Sequence, residues 1–213
     1  MTAVTTGRLR PRMRADAQRN RERIVAAARE MFVEQGPDVA LDEVARRAGV
    51  GNATLYRHFA DRQELLRQVT LLVMARVADR AEAARDESDP FEALRRFVHA
   101  AAEERVGALS PLISDGIDRD GPELFEERTR LERAVEALMA AGRRRGLLRD
   151  DVAVGDLMVA VAQLTRPLPG SDCTDFDGFV HRHLHLFLDG LRPSAQSELP
   201  GEPATLEALR RPS

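Results

Sequence analysis

Apolar residues recur at intervals of three and four along most of the chain, and the polar positions between them mark out one helix after another. The first series, Ile24, Ala27, Ala28, Met31 and Phe32, predicts a helix that Gly36-Pro37 stops. Leu41, Val44, Ala45 and Ala48 give a short second helix one small apolar face, and Gly49 supplies a position for a sharp turn. Leu55 and Phe59, four apart, form the core side of a third helix, with Asn52, Thr54, Arg57 and His58 around its remaining surface. Asp61 is placed to cap a fourth, with Glu64 as its capping-box partner. Leu65, Leu66, Val69, Leu72 and Val73 carry that helix past the small N-terminal bundle toward the charged segment 86–89.

From Pro90 the helical period returns, in Phe91, Leu94, Phe97 and Val98, then over 124–138, 152–164 and 176–188. Breaks at Pro111, Gly121-Pro122, Gly146 and 167–170 divide this stretch into roughly five helices, and no alternation of period two is sustained. The expected fold is all-α with about nine helices: an N-terminal three-helix helix-turn-helix domain and a C-terminal helical bundle. Residues 1–17 read as a flexible arginine-rich arm, 18–65 as the small domain, 66–190 as the bundle and 191–213, rich in proline, serine and glutamate, as a loose tail. The last two long helices are apolar over more than one face. A small chain hides such surface by pairing with a second copy, so Leu157, Val161, Phe176, Val180, Leu184 and Phe187 are expected at a two-fold interface.

Charge sharpens the picture at one end. The net charge is −3, yet residues 1–65 hold twelve arginines against nine acids, and residues 8–23 alone hold seven against two. Every basic side chain is an arginine, whose planar fork suits phosphate. An apolar fraction of 43% over 213 residues supplies a sizeable core. The single cysteine, Cys173, has no internal disulfide partner, and no apolar run reaches membrane length, which points to a cytoplasmic setting without membrane contact. Glycine-rich phosphate loop, nucleophile elbow and metallopeptidase spacing are all missing, so an enzyme is not expected and no cofactor is implied.

A helix that enters the major groove needs small or polar residues at its tip, which Gly51, Asn52, Ala53 and Thr54 provide, and flanking phosphate donors, for which Tyr56, His58 and Arg62 stand ready. Residues 19–69, with Asp42-Glu43-Val44-Ala45-Arg46-Arg47-Ala48-Gly49-Val50, Thr54-Leu55-Tyr56-Arg57-His58-Phe59 and Arg62-Gln63-Glu64-Leu65-Leu66, resemble the DNA-binding domain of the TetR family of transcriptional regulators. The resemblance implies a homodimer on a palindromic double-stranded operator, most often a repressor that a small molecule releases. It places Asn52, Ala53, Thr54 and Arg57 toward bases, and Tyr56, His58 and Arg62 on phosphates. Two departures stand out. Val39 and Ala40 replace the usual serine or threonine ahead of the second helix, leaving Asp38 as the nearest cap, and Gly51 and Ala53 replace the usual serine and glycine that open the third. Arg8, Arg10, Arg12 and Arg14 are either minor-groove contacts or part of a solubilising tail.

In the C-terminal bundle the resemblance implies an effector pocket for an apolar or amphipathic molecule. Phe97, Ala101, Leu131, Val135, Leu138 and Val159 are its candidate lining, with the acids of 115–120 near an entrance, although apolar helical stripes are also ordinary core. His181 and His185, four apart with His183 between them, have the spacing of a metal-binding pair but lack further ligands, so no metal site is assigned. The alternatives are a constitutive DNA-binding dimer or activator without ligand control, and a helical interaction protein that does not bind DNA.

Overall fold

The computed structural model describes residues 9–36, 38–109, 121–167, 176–194 and 197–205, with the backbone alone for 9–14, 176 and 177. The chain forms two compact units, Met1–Val69 and Thr70–Ser213, and the division falls inside the fourth helix instead of at its first turn. Among the described residues there are nine helices and no strand.

In the first unit α1 (Leu9–Gln35), α2 (Leu41–Arg47), α3 (Asn52–His58) and the start of α4 (Arg62–Ala84) surround one core. The side chains of Ile24, Ala28, Phe32, Val44, Leu55, Phe59 and Leu65 are excluded from solvent there, at the spacing the apolar pattern predicts. Gly36 ends α1 with φ +87°, a left-handed conformation that a side chain disfavours. The arm expected to be loose over 1–17 is helical from Leu9 onward. Arginine, methionine, alanine and glutamine are strong helix formers, and local pairs (Asp16 with Arg19, Gln18 with Glu22) support a stretch that buries little. Arg8 and the side chains of Arg10, Arg12 and Arg14 lie outside the described residues.

In the second unit α5 (Pro90–Glu103) is central and packs on α7 (Pro122–Arg144), α8 (Val154–Leu164) and α9 (Phe176–Gly190). Asp89 starts α5 by accepting from the amides of Phe91 and Glu92 at 2.8 and 3.1 Å, with Pro90 in the first turn, where its missing N–H costs nothing. A short α6 (106–109) brings backbone against the end of α8: the Gly107 amide donates to Thr165 Oγ1 at 3.0 Å, and a Cβ there would lie 2.4 Å from the Ala162 carbonyl oxygen.

Two expectations are corrected here. Leu157, Val161, Val180 and Leu184 are buried within their own unit, Phe187 is half-buried, and the Phe176 side chain lies outside the described residues. The exposed apolar side chains of α8 and α9 are instead Val159, Phe179 and Leu186, at 39%, 52% and 61% exposure. A wide apolar arc contains both an inner and an outer stripe, and periodicity alone does not say which one the same chain covers. Nor is the tail loose where it is described. The Ala204 amide donates to Asp156, which also caps α8 by accepting from the Ala153 amide at 2.8 Å, and Gly155 leaves room for the Ala204 carbonyl. Arg149 fixes the same segment through the Ser197 carbonyl at 2.8 Å.

Candidate nucleic-acid interface

The link between α2 and α3 is built from backbone hydrogen bonds and one arginine. Gly49 takes φ +65°, and the Val50 amide donates to the Ala45 carbonyl at 3.0 Å, which closes the end of α2. Arg23 of α1 donates through Nη2 to the carbonyls of Ala48 and Gly49 at 2.5 and 3.1 Å, satisfying the acceptors that a helix end leaves over. A Cβ on Gly49 would lie 2.6 Å from that Nη2, so the same space serves the turn and its brace.

Arg21, half a turn earlier, holds the other end of α3. Its Nη1 donates to the His58 carbonyl at 3.1 Å, its guanidinium lies 4.6 Å from the Phe59 ring centroid, and Nη2 pairs with Glu64 at 3.5 Å. Asp61 caps α4 as expected, accepting from the Glu64 amide at 2.8 Å. The carboxylate of Glu64 turns to Arg67 and Arg21, which together hold it below the usual carboxylate range. Ala40, with no side-chain acceptor, occupies the cap position of α2, and Asp38 stands out of register.

With Leu55 and Phe59 buried, the outward face of α3 is fixed: Asn52, Ala53, Tyr56 and Arg57 are exposed, and Thr54 and His58 are half-exposed. Tyr56 is 51% exposed, a large aromatic side chain that the core does not cover. Arg57 folds back along the helix, Nε to the Ala53 carbonyl at 3.2 Å and Nη2 to Thr54 Oγ1 at 3.0 Å. This presents a planar fork beside a hydroxyl, the pairing that suits a base edge. His58 is held below the ordinary imidazole range by burial and by the charges of Arg21 and Arg57, so near neutrality it is an uncharged hydrogen-bonding group.

Arg62 makes a contact that its expected place on a phosphate does not include. Its Nη2 donates to the Val39 carbonyl at 2.6 Å, so the half-buried side chain ties α4 to the loop before α2. Arg21 and Arg23 are the functional side chains that the sequence missed. In the sequence they add only to the positive charge of residues 8–23, and no local pattern separates an arginine turned toward a helix end from one turned toward solvent.

The residues expected to line an effector site are spread between core, cavity edge and surface. Phe97, Ala101, Leu131 and Val135 are buried core, and Val159 is exposed. A cavity of about 470 Å³ lies elsewhere in the second unit, between α4 and α7, among Glu82, Arg85, Phe125, Thr129, Arg130 and Arg133. Arg130 is fastened there by Asp79 and Glu82, each at 2.6 Å. A smaller cavity of about 230 Å³ includes Leu138, which is buried yet borders it, beside Pro90, Ala137 and Ala141. The acids of 115–120 and Cys173 lie outside the described residues, among which no group of three His, Cys, Asp or Glu side chains is placed to hold a metal ion. No described helix is long and apolar enough to cross a membrane.

Two short helices joined by a braced glycine turn, the second with a polar face set by two core anchors, define a helix-turn-helix protein. Residues 24–69 match the model of bacterial regulatory proteins of the tetR family, and residues 89–193 match an SbtR-like C-terminal domain of transcriptional regulators. A TetR transcriptional regulator from Streptomyces coelicolor is similar at 34% identity and TM-score 0.60, over 82% of this chain and 99% of that one. A TetR regulatory protein from Mycobacterium vanbaalenii is similar at 30% identity and TM-score 0.58, over 84% and 99%. The chain belongs to the TetR family. The curated HTH-type regulator TtgW of Pseudomonas putida is 48% identical over 56 residues, 26% of this chain; that match spans 42% of the relative's length.

Proposed function

We propose that this protein is a sequence-specific DNA-binding regulator of transcription that acts as a homodimer, a repressor released from a palindromic operator by a small molecule. The observation that carries the reading is the outward face of α3, where Asn52, Ala53, Thr54 and Arg57 are held toward the solvent by anchors on the opposite side. These four residues meet bases, and Tyr56 and His58 meet phosphates. Arg62 acts through the Val39 carbonyl, so its part is to orient α2 relative to α4.

A two-fold dimer needs an apolar surface that the single chain leaves open. Val159 on α8 and Phe179 and Leu186 on α9 supply it, in place of the buried stripe behind them. The effector reading rests on the cavity between α4 and α7, where Phe125, Thr129 and Ala134 stand beside Glu82, Glu126, Arg85 and Arg133, a mixture that suits an amphipathic molecule. A ligand that prefers one arrangement of the second unit shifts the population toward it, and DNA affinity changes by that preference alone. The protein works by binding, without catalysis.

Selection of bound sequences from randomised duplex DNA tests the proposal. Enrichment of a palindrome with two half-sites about one helical turn apart is expected. No enrichment at low and moderate salt refutes it and favours a helical interaction protein.

A further inference from the structure

His99 of α5 and His181 of α9 face one another with their Nδ1 atoms 2.7 Å apart. The ring centroids are 4.9 Å apart and the planes only 20° from parallel. That centroid separation is close to the N···N distance plus one ring radius at each end, so the nitrogens point along the line between the rings. Such a contact is an N–H···N hydrogen bond. One ring gives its Nδ1 proton and the other receives it on a bare Nδ1, so the two imidazoles hold opposite tautomers. His185, one turn after His181, places its ring centroid 4.7 Å from that of His99. Three imidazoles from two helices thus meet beside the core stripe Val180, Leu184 and Leu188.

We propose that His99, His181 and His185 form a proton-operated latch between α5 and α9, closed while one of the two facing nitrogens keeps its lone pair and opened when neither does. A first proton on the pair is tolerated, because an imidazolium on either side still donates its Nδ1 proton to the bare nitrogen opposite. A second leaves two N–H groups facing each other across the same gap, and the rings must part. On the far side of the His99 ring that proton gains no hydrogen bond among the described residues, where Nε2 is buried without a partner.

Among the described residues the charged and titratable groups that bear on His99 are His181 and His185 from α9 and Arg95 from α5 itself; the side chain of Asp177, one turn before His181 on α9, lies outside them. Burial first, then these three positive or potentially positive neighbours, push His99 down to about 4, against 6.5 for an ordinary imidazole. The folded state therefore binds fewer protons than the unfolded chain between those two values. The stability His99 confers is whole above the upper value and is lost as pH falls toward the lower. Because α9 also carries Phe179 and Leu186, opening the latch disturbs the helix that presents the exposed apolar face.

The test compares the unfolding equilibrium of the wild type and His99→Leu between pH 7.5 and 5, in urea and with a chelator present. The folded-to-unfolded ratio of the wild type should fall about thirtyfold more than that of the variant across this range. Equal slopes overturn the proposal, as does a pH response that appears only with added zinc, which would assign the imidazoles to a metal. Should His99→Leu fail to fold, the ring resonances of the wild type decide the matter. A His99 midpoint below pH 5, with faster amide exchange in α9 as it is crossed, supports the latch, and a midpoint at the ordinary imidazole value refutes it. None of these readouts involves DNA, so the latch stands or falls apart from the proposed operator binding.

Discussion

Replacing Leu184 by alanine removes a side chain with no exposed surface, whereas the same change at Leu186, two residues on, removes one that is 61% exposed. At Leu184 three carbon atoms lose their burial, about 2.4 kcal/mol at roughly 0.8 kcal/mol per group, and the space left behind adds a cavity cost. A total of about 3 kcal/mol lies inside the range of buried leucine truncations. For a chain of this size each kcal/mol moves the melting temperature by about 2–4 °C, so Leu184→Ala should melt roughly 6–12 °C below the wild type at any protein concentration.

Leu186 retains only the covered part of its side chain as a contribution within the chain, under about 1 kcal/mol. Its larger effect is on association. Leu186→Glu places a charge on the proposed two-fold face and should halve the mass in solution, and its melting temperature should approach that of the dilute wild type. Thermal melts at two concentrations, with sedimentation or light scattering, measure both effects. A Leu184→Ala variant that melts within about 2 °C of wild type but loses half its mass would refute the reasoning. In that case α9 is turned so that the inner stripe faces the second copy.

Arg57→Ala should change base preference at one position of each half-site, with discrimination there falling by about 1–3 kcal/mol, read from enrichment in a randomised duplex library. Arg62→Ala removes the donor to the Val39 carbonyl, so it should weaken all duplexes alike and lower the melting temperature of the free protein; an unchanged melt would return Arg62 to direct phosphate contact. Gly49→Ala forces a side chain into φ +65° and displaces the Arg23 guanidinium, which should cost about 1–3 kcal/mol in chemical denaturation and weaken DNA binding in parallel. Gly49→Asn, which tolerates that backbone better, should recover part of the loss.

Where the sequence was informative, one local rule settled each element. Gly36 and Gly49 mark turns because only glycine takes those backbone angles cheaply, and Leu55 and Phe59 orient α3 because four residues make about one turn. The reader's polar face follows from those two anchors without any knowledge of the rest of the molecule. What was not legible depends on the partner that lies opposite. Arg21 and Arg62 carry the same side chain as Arg57, yet the first two end on carbonyls of distant residues while the third lies along its own helix. His181 and His185 read as an isolated pair at metal-ligand spacing, and their neighbour His99 stands 82 residues away in the chain from His181. Leu184 and Leu186 differ in the same way: both belong to one apolar arc, and the packing of α5 and α8 decides which is inside. A periodic pattern states that a helix has a side to hide. Assigning that side to the same chain or to a second copy requires the tertiary fold, which is why the comparison of Leu184 with Leu186 tests the packing of α9 more directly than any substitution in the core of the reader.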